Sequence, residues 1–188
     1  MDNISLDSKK ILLKLARDVI NYGVVEQYKI LKIILTEYPQ ELLITKACFV
    51  TLNKNQQFRG CIGTLVARNP LVQEVVDSSF AAAFSDPRFP KVVLEELSSL
   101  KIYISVLTTP HRINFTSEQD LLAQLRPNID GLILKAPGFV GTFLPSVWQQ
   151  LPNPVDFLKN LKLKAGLSIN YWSDKVEVLR YETEIFEE

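Results

Sequence analysis

Arg59-Gly60-Cys61-Ile62-Gly63 puts a cation, a thiol and two glycines into five consecutive residues. Such a set can do thiolate chemistry or bind an anion. The thiolate, not the thiol, is the nucleophile, and a nearby cation lowers the free cysteine value of about 8.5. In a regular strand Arg59 shares a face with Cys61, and Gly63 with both. Arg88 can add its charge if its own turn folds back. The other reading of Cys61 is an inert core thiol, because free Cys is among the most buried residue types. Gly60 and Gly63 can let a ligand reach exposed backbone N–H groups, or they can mark a bulge that twists a hairpin. The spacing is not that of a phosphate loop, which needs a longer Gly-rich run ending in Lys-Ser/Thr.

A second polar pair flanks Pro87. Asp86 and Arg88 can line a cleft and hold a carboxylate or phosphate, or pair with each other and fix the turn. Thr142 and Trp148 read either as walls of that cleft or as core residues. The one histidine, His111, follows Thr109-Pro110 and reads as part of a surface loop, so a Cys–His dyad is disfavoured. Glu74 and Asp77, three apart on a helix face, read as a solvated acidic face rather than a metal site. The candidate set is therefore Cys61 for catalysis, and Arg59, Gly60, Gly63, Thr64, Asp86, Arg88, Thr142 and Trp148 for binding. A full acid–base set is missing.

Composition narrows the classes. The 188 residues suit one domain, and 47% hydrophobic with 22% charged residues is ordinary for a globular protein. Lys+Arg and Asp+Glu number 21 each, so no basic excess points to nucleic acid. Two cysteines in a chain of this size suit the cytoplasm. Two Cys and one His fall short of the four ligands of a structural zinc site, and no cofactor motif stands in the chain. Met1-Asp2-Asn3-Ile4-Ser5 lacks the pattern of a signal peptide, and no apolar run reaches the length of a membrane span.

The elements that must position these residues follow from periodicity. Ile11, Leu12, Leu15, Ala16, Val19 and Ile20 make one stripe of a helix over 5–22, capped by Ser5 or Asp7 and ended by Gly23. A short helix is expected within 24–38, stopped by Pro39. Ala47 to Leu52 and Phe58 to Leu65 form a hairpin across a five-residue polar loop. Pro70 opens a helix to Phe84. Lys101 to Leu107, Leu132 to Lys135, Phe139 to Leu144 and, last, Val176 to Tyr181 are strands. Short helices are expected at 94–97, 117–125, 145–150 and 154–165, the last ended by Gly166. Tight links imply antiparallel pairing. The class is α+β: a mainly antiparallel sheet flanked by helices, in one domain of two unequal lobes, the smaller drawn from the second half.

These residues carry a family resemblance. The chain resembles the AMMECR1 domain family, called system protein A of the AmmeMemoRadiSam system in microbes. The matching segments include Phe49-Val50-Thr51-Leu52, Arg59-Gly60-Cys61-Ile62-Gly63-Thr64-Leu65, Ala82-Ala83-Phe84-Ser85-Asp86-Pro87-Arg88-Phe89-Pro90, Asp130-Gly131-Leu132, Leu144-Pro145-Ser146-Val147-Trp148 and Lys164-Ala165-Gly166-Leu167. They run in family order over residues 8–186. Phe58 stands where the family usually has Leu. Some branches place a second Cys before the Lys-Ala-Gly-Leu segment. This chain has Leu161-Lys162-Leu163 there, which speaks against a two-cysteine mechanism. The resemblance implies an α+β fold in two unequal lobes and a pathway shared with a radical SAM enzyme and a Memo-like protein. It implies no reaction. Two readings follow: a partner-dependent binding protein, or an enzyme using Cys61 on a small polar substrate.

Overall fold

The computed structural model describes residues 4–188; Met1, Asp2 and Asn3, part of the N-terminus read above as leaderless, lie outside the described residues. The chain forms two compact units. The first holds the residues up to Leu107 together with Glu184–Glu188, and the second spans Thr108–Thr183. The fold is α+β, its strands divided between two four-stranded sheets, and the described pairings are antiparallel.

The first unit opens with α1, Leu6–Val25. Ser5 caps it, its hydroxyl accepting from Ser8 N at 3.2 Å. Leu12, Leu15, Ala16, Val19 and Ile20 are buried along one stripe. Gly23 does not end the helix as expected. It sits inside, where a Cβ would lie 2.4 Å from Phe84 Cε2, so its smallness serves packing. The helix expected within 24–38 is absent; only a 3-10 turn at Leu35–Glu37 forms there. Gln27 and Tyr28 take left-handed φ values of 53° and 66°, which end α1. The Tyr28 ring then meets Phe84 edge-on at 5.3 Å, with the Lys91 ammonium 4.3 Å from its centroid. Tertiary contacts override the local helical spacing.

Strands β1 (Cys48–Lys54), β2 (Gln57–Gly63) and β3 (Leu100–Leu107) lie in the order β2-β1-β3. Alternate residues of β1, Cys48, Val50 and Leu52, are buried in a core shared with α1 and α2, Leu71–Phe84. Pro70 precedes the first turn of α2. β3 runs antiparallel to β1, and its Ile102 and Ile104 stand opposite Leu52 and Val50 in the same core.

The second unit contains β4 (His111–Arg112), β5 (Gly131–Ala136), β6 (Phe139–Phe143) and β7 (Glu177–Tyr181), ordered β4-β7-β5-β6. Two helices accompany them, α3 (Glu118–Gln124) and α4 (Pro154–Lys164). His111, expected in a loop, pairs with Arg180 in the sheet and stays exposed. Trp148 and Phe157 stack in the core at 3.7 Å and 10°.

Val176 to Tyr181 is not the last strand. β8, Thr183–Glu187, continues the first unit's sheet beside β3. Its apolar signal is weak, because Phe186 alone of its side chains packs against the core, Ile185 is exposed and charges supply further ties. Glu184 meets Lys9 at 2.7 Å and Glu187 meets Lys101 at 2.9 Å. Hydrophobic periodicity carries no such signal.

Candidate functional site

The hairpin that carries the motif differs from its expected form in two ways. Its loop is two residues, not five: Asn55 and Gln56, both left-handed at φ 50° and 65°. That geometry matches the twist of a tight hairpin, and Asn, after Gly, is among the residues that adopt it most readily. The pairing then slips. Lys54 faces Gln57 and Asn53 faces Phe58, but Leu52 faces Gly60. Arg59 has no partner, so a bulge sits at the first residue of the motif. The bulge breaks the even alternation that placed Arg59 beside Cys61. Phe58 and Cys61 now lie opposite Asn53 and Thr51, on one face of the hairpin. Gly60 and Ile62 turn to the other face, where a Cβ on Gly60 would come 2.5 Å from Ala82 O of α2.

Arg59 goes into the protein. Its side chain is buried. Nε and Nη2 each donate to Glu96 at 3.0 Å, and Nη2 also reaches Pro90 O at 2.8 Å. Lys54 Nζ adds a bond to Glu96 Oε1 at 3.0 Å. These Arg59 bonds hold the Glu96 carboxyl down at about 2, against the cost of burial.

The cation beside Cys61 is Arg88. Asp86, 5% exposed, accepts from Arg88 Nε at 2.8 Å and Arg88 N at 3.1 Å through Oδ1. Its Oδ2 accepts from Arg88 Nη2 at 2.6 Å and from Cys61 N at 2.9 Å. Arg88 Nη2 also donates to Cys61 O at 3.0 Å. The Asp86–Arg88 pair therefore grips both backbone polar atoms of Cys61. Arg88 above all holds the Asp86 carboxyl far below its usual range, with help from the two backbone N–H groups. An N–H of the motif that was a candidate for an external anion is already bonded to an internal one. Thr64 N is likewise engaged, by Cys48 O at 3.0 Å.

Cys61 is half-buried. Thr51 Oγ1 donates to its sulfur at 3.1 Å. Burial pushes the thiol above its usual value; Thr51 and Arg88 pull it down without cancelling that effect, and Asp86 pushes it up. A group poised in this way is a thiol at neutral pH. Iodoacetamide should label it slowly at pH 7, with a rate that climbs only beyond the ordinary thiol range. Cys48, whose thiol burial drives up to about 12, will not obscure the signal. A labelling midpoint below about 8 would place Cys61 among activated thiols.

What faces outward is aromatic and cationic. The Arg88 guanidinium lies 5.0 Å from the Phe58 centroid and 5.9 Å from that of Phe89. The Arg59 guanidinium lies 5.6 Å from Phe89, and the two rings meet at 5.5 Å. Phe58 is 48% exposed.

The structure thus gathers Arg59, Gly60, Cys61, Gly63, Asp86 and Arg88 in the first unit. Thr64 bonds locally, its hydroxyl accepting from Val66 N at 3.1 Å. Thr142 and Trp148 belong to the second unit and are internally engaged. Thr142 Oγ1 donates to Leu132 O at 2.9 Å, and the buried Trp148 donates to Asp130 O at 2.7 Å. Glu74 is no solvated face: it is 6% exposed and accepts from Asn69 Nδ2 at 3.0 Å. Sequence reasoning passed over Thr51, Phe89 and Glu96. Phe89 stood within the matched Asp-Pro-Arg-Phe-Pro run, whereas no local pattern marks Glu96.

Comparison with known proteins agrees along the length of the chain. The chain is similar to Protein MJ0810 of Methanocaldococcus jannaschii, 35% identical over 161 residues that cover 84% of this chain and 80% of that one. A protein of Methanosarcina acetivorans is 37% identical over 154 residues, 81% of this chain and 77% of its own. The crystal structure of the uncharacterized protein PH0010 from Pyrococcus horikoshii superposes with a TM-score of 0.86 at 32% identity. That match covers 98% of this chain and 93% of the other. The AMMECR1 family model matches residues 13–186, and on that match and these relatives the chain belongs to the AMMECR1 family.

Proposed function

We propose that this protein is a non-catalytic binding component of a cytoplasmic pathway that also uses a radical SAM enzyme and a Memo-like protein. The surface around Arg59–Thr64 is its contact site. One observation carries this reading: the charged groups at the motif are paired inside the protein, Arg59 with Glu96 and Asp86 with Arg88, while the Phe58 ring and part of the paired Arg88 side chain stay exposed. Internal pairing fixes the shape of a surface and removes the reactive groups a catalyst needs. Aromatic residues and Arg are the side chains that anchor protein interfaces. A guanidinium held by Asp86 against a pair of touching rings suits that role better than turnover. The alternative, an enzyme with Cys61 as thiolate or redox group on a small polar substrate, has in its favour only the half-exposed sulfur near Arg88. The raised thiol counts against it.

The test uses purified radical SAM and Memo-like proteins from the same organism, titrated against the full chain by calorimetry. At least one should bind, and Phe58→Ala should weaken it by roughly tenfold or more. Cys61→Ser should change the affinity little. Binding by neither protein, or loss of binding in Cys61→Ser with Phe58→Ala silent, would refute the proposal.

A further inference from the structure

We propose that a cleft in the second unit binds a small planar nitrogen heterocycle of the purine class, as a free base or nucleoside. The cleft lies between the runs 112–116 and 172–176 and has a volume of about 300 Å³, the lower end of ligand pockets. It rests on observations separate from the motif. Phe115 and Trp172 stand in its wall as half-buried rings, 5.6 Å apart with planes at 50°. Such rings accept a flat base by stacking, since every base has a π-face.

The indole is braced from outside the lining. Lys162 is 1% exposed, and its ammonium lies 5.4 Å from the Trp172 centroid. Glu118 holds that ammonium at 2.6 Å and Ile169 O at 3.3 Å. A buried ion pair is weak grounds for stability, so its consequence here is to position the ring. A cation already drawn to this ring also makes it a poorer partner for a second ammonium, which disfavours amine ligands.

The polar lining selects further. Thr116 Oγ1 is bonded to Asp120 at 3.1 Å, and Ser173 Oγ meets the Tyr171 hydroxyl at 3.2 Å. Asn114 is different: among the described residues only its backbone carbonyl is used, by Gln124 at 2.9 Å. Its side-chain amide offers a donor beside an acceptor, the pair that matches the N6/N7 edge of adenine. The charges of the lining are one of each sign, Arg112 and Asp174, and Arg112 is paired with Glu177 at 3.3 Å. A neutral ring suits this balance better than a phosphate. A net charge of zero likewise favours a free nucleoside over a nucleic-acid strand.

The test is a titration of the nitrogen-15-labelled full chain with adenosine, read at the indole N–H signals. Trp172→Phe assigns the relevant signal by its loss. Adenosine should shift that signal saturably, with half-saturation at or below about 1 mM, and leave the signal of the buried Trp148 in place. Asn114→Ala, an exposed substitution, should weaken binding roughly fivefold or more. Cyclohexanol, which has neither a π-face nor an amide-like edge, should give no saturable shift. Four results overturn the proposal: no saturation by about 5 mM adenosine, unchanged affinity in Asn114→Ala, an equal response to cyclohexanol, or oligoadenylate binding more than about tenfold tighter than adenosine.

Discussion

Gly63→Ala should destabilise the first unit by about 3 kcal/mol, the upper end of overpacking costs. A Cβ at this position would lie 2.2 Å from Cys48 O and 2.5 Å from Phe49 Cα. Both atoms belong to the backbone of the paired strand, so no side-chain rotation relieves the clash. Either β2 leaves β1 at this point, which also costs the bond from Thr64 N to Cys48 O, or the hairpin shifts as a body. Gly138→Ala is the useful contrast. Gly138 has φ +80°, and a Cβ there would meet no atom within 4 Å, so the new methyl brings only backbone strain, about 1 kcal/mol. Urea unfolding of both variants, followed by circular dichroism, separates the two causes. A loss for Gly63→Ala no larger than for Gly138→Ala would show that the strands do not need to approach so closely.

Glu96→Ala should cost about 3 to 5 kcal/mol, the usual penalty for removing one partner of a buried ion pair. The substitution strips two bonds from the buried Arg59 guanidinium and leaves it only Pro90 O. It also removes the acceptor for Lys54 Nζ and for Val93 N. Replacing both partners together, Arg59→Met with Glu96→Leu, should recover most of the loss, because no charge is then left stranded. A double variant as unstable as Glu96→Ala would locate the cost elsewhere. The pH dependence has a definite sign. The folded Glu96 carboxyl lies at about 2, below its ordinary 4.5. Its contribution is therefore complete above about 4.5 and is lost as pH falls toward 2. The stability gap between the wild type and Glu96→Gln should narrow across that window and stay level from pH 5 upward.

The two substitutions probe the part of the site that was hardest to read from the chain. The hairpin was legible, because Ala47 to Leu52 and the motif are apolar runs on either side of a polar turn. The Asp86–Arg88 pairing was legible as one of two options, since two residues flanking a proline are held close by the covalent chain. The faces of the motif were not. Period-two counting assumes that each residue of β2 has one partner, and the bulge at Arg59 breaks that assumption. A slip of one residue moves side chains to the opposite face. Hence Arg59 is replaced beside Cys61 by Arg88, and Phe58 joins the face of Cys61.

The sequence by itself determined the α+β class, the helices α1 and α2, the hairpin and membership of the AMMECR1 family, because each rests on local periodicity or on runs of matched residues. Only the tertiary structure decided what the motif's groups do. Glu96 lies 37 residues from Arg59, and Asp86 lies 25 residues from Cys61. Bonds across such separations are set by pairing register and by the packing of α2 against the hairpin, neither of which leaves a local signature. Arg59 and Cys61 were read together because they are close in sequence; the fold instead buries one with Glu96 and clasps the other with Asp86 and Arg88.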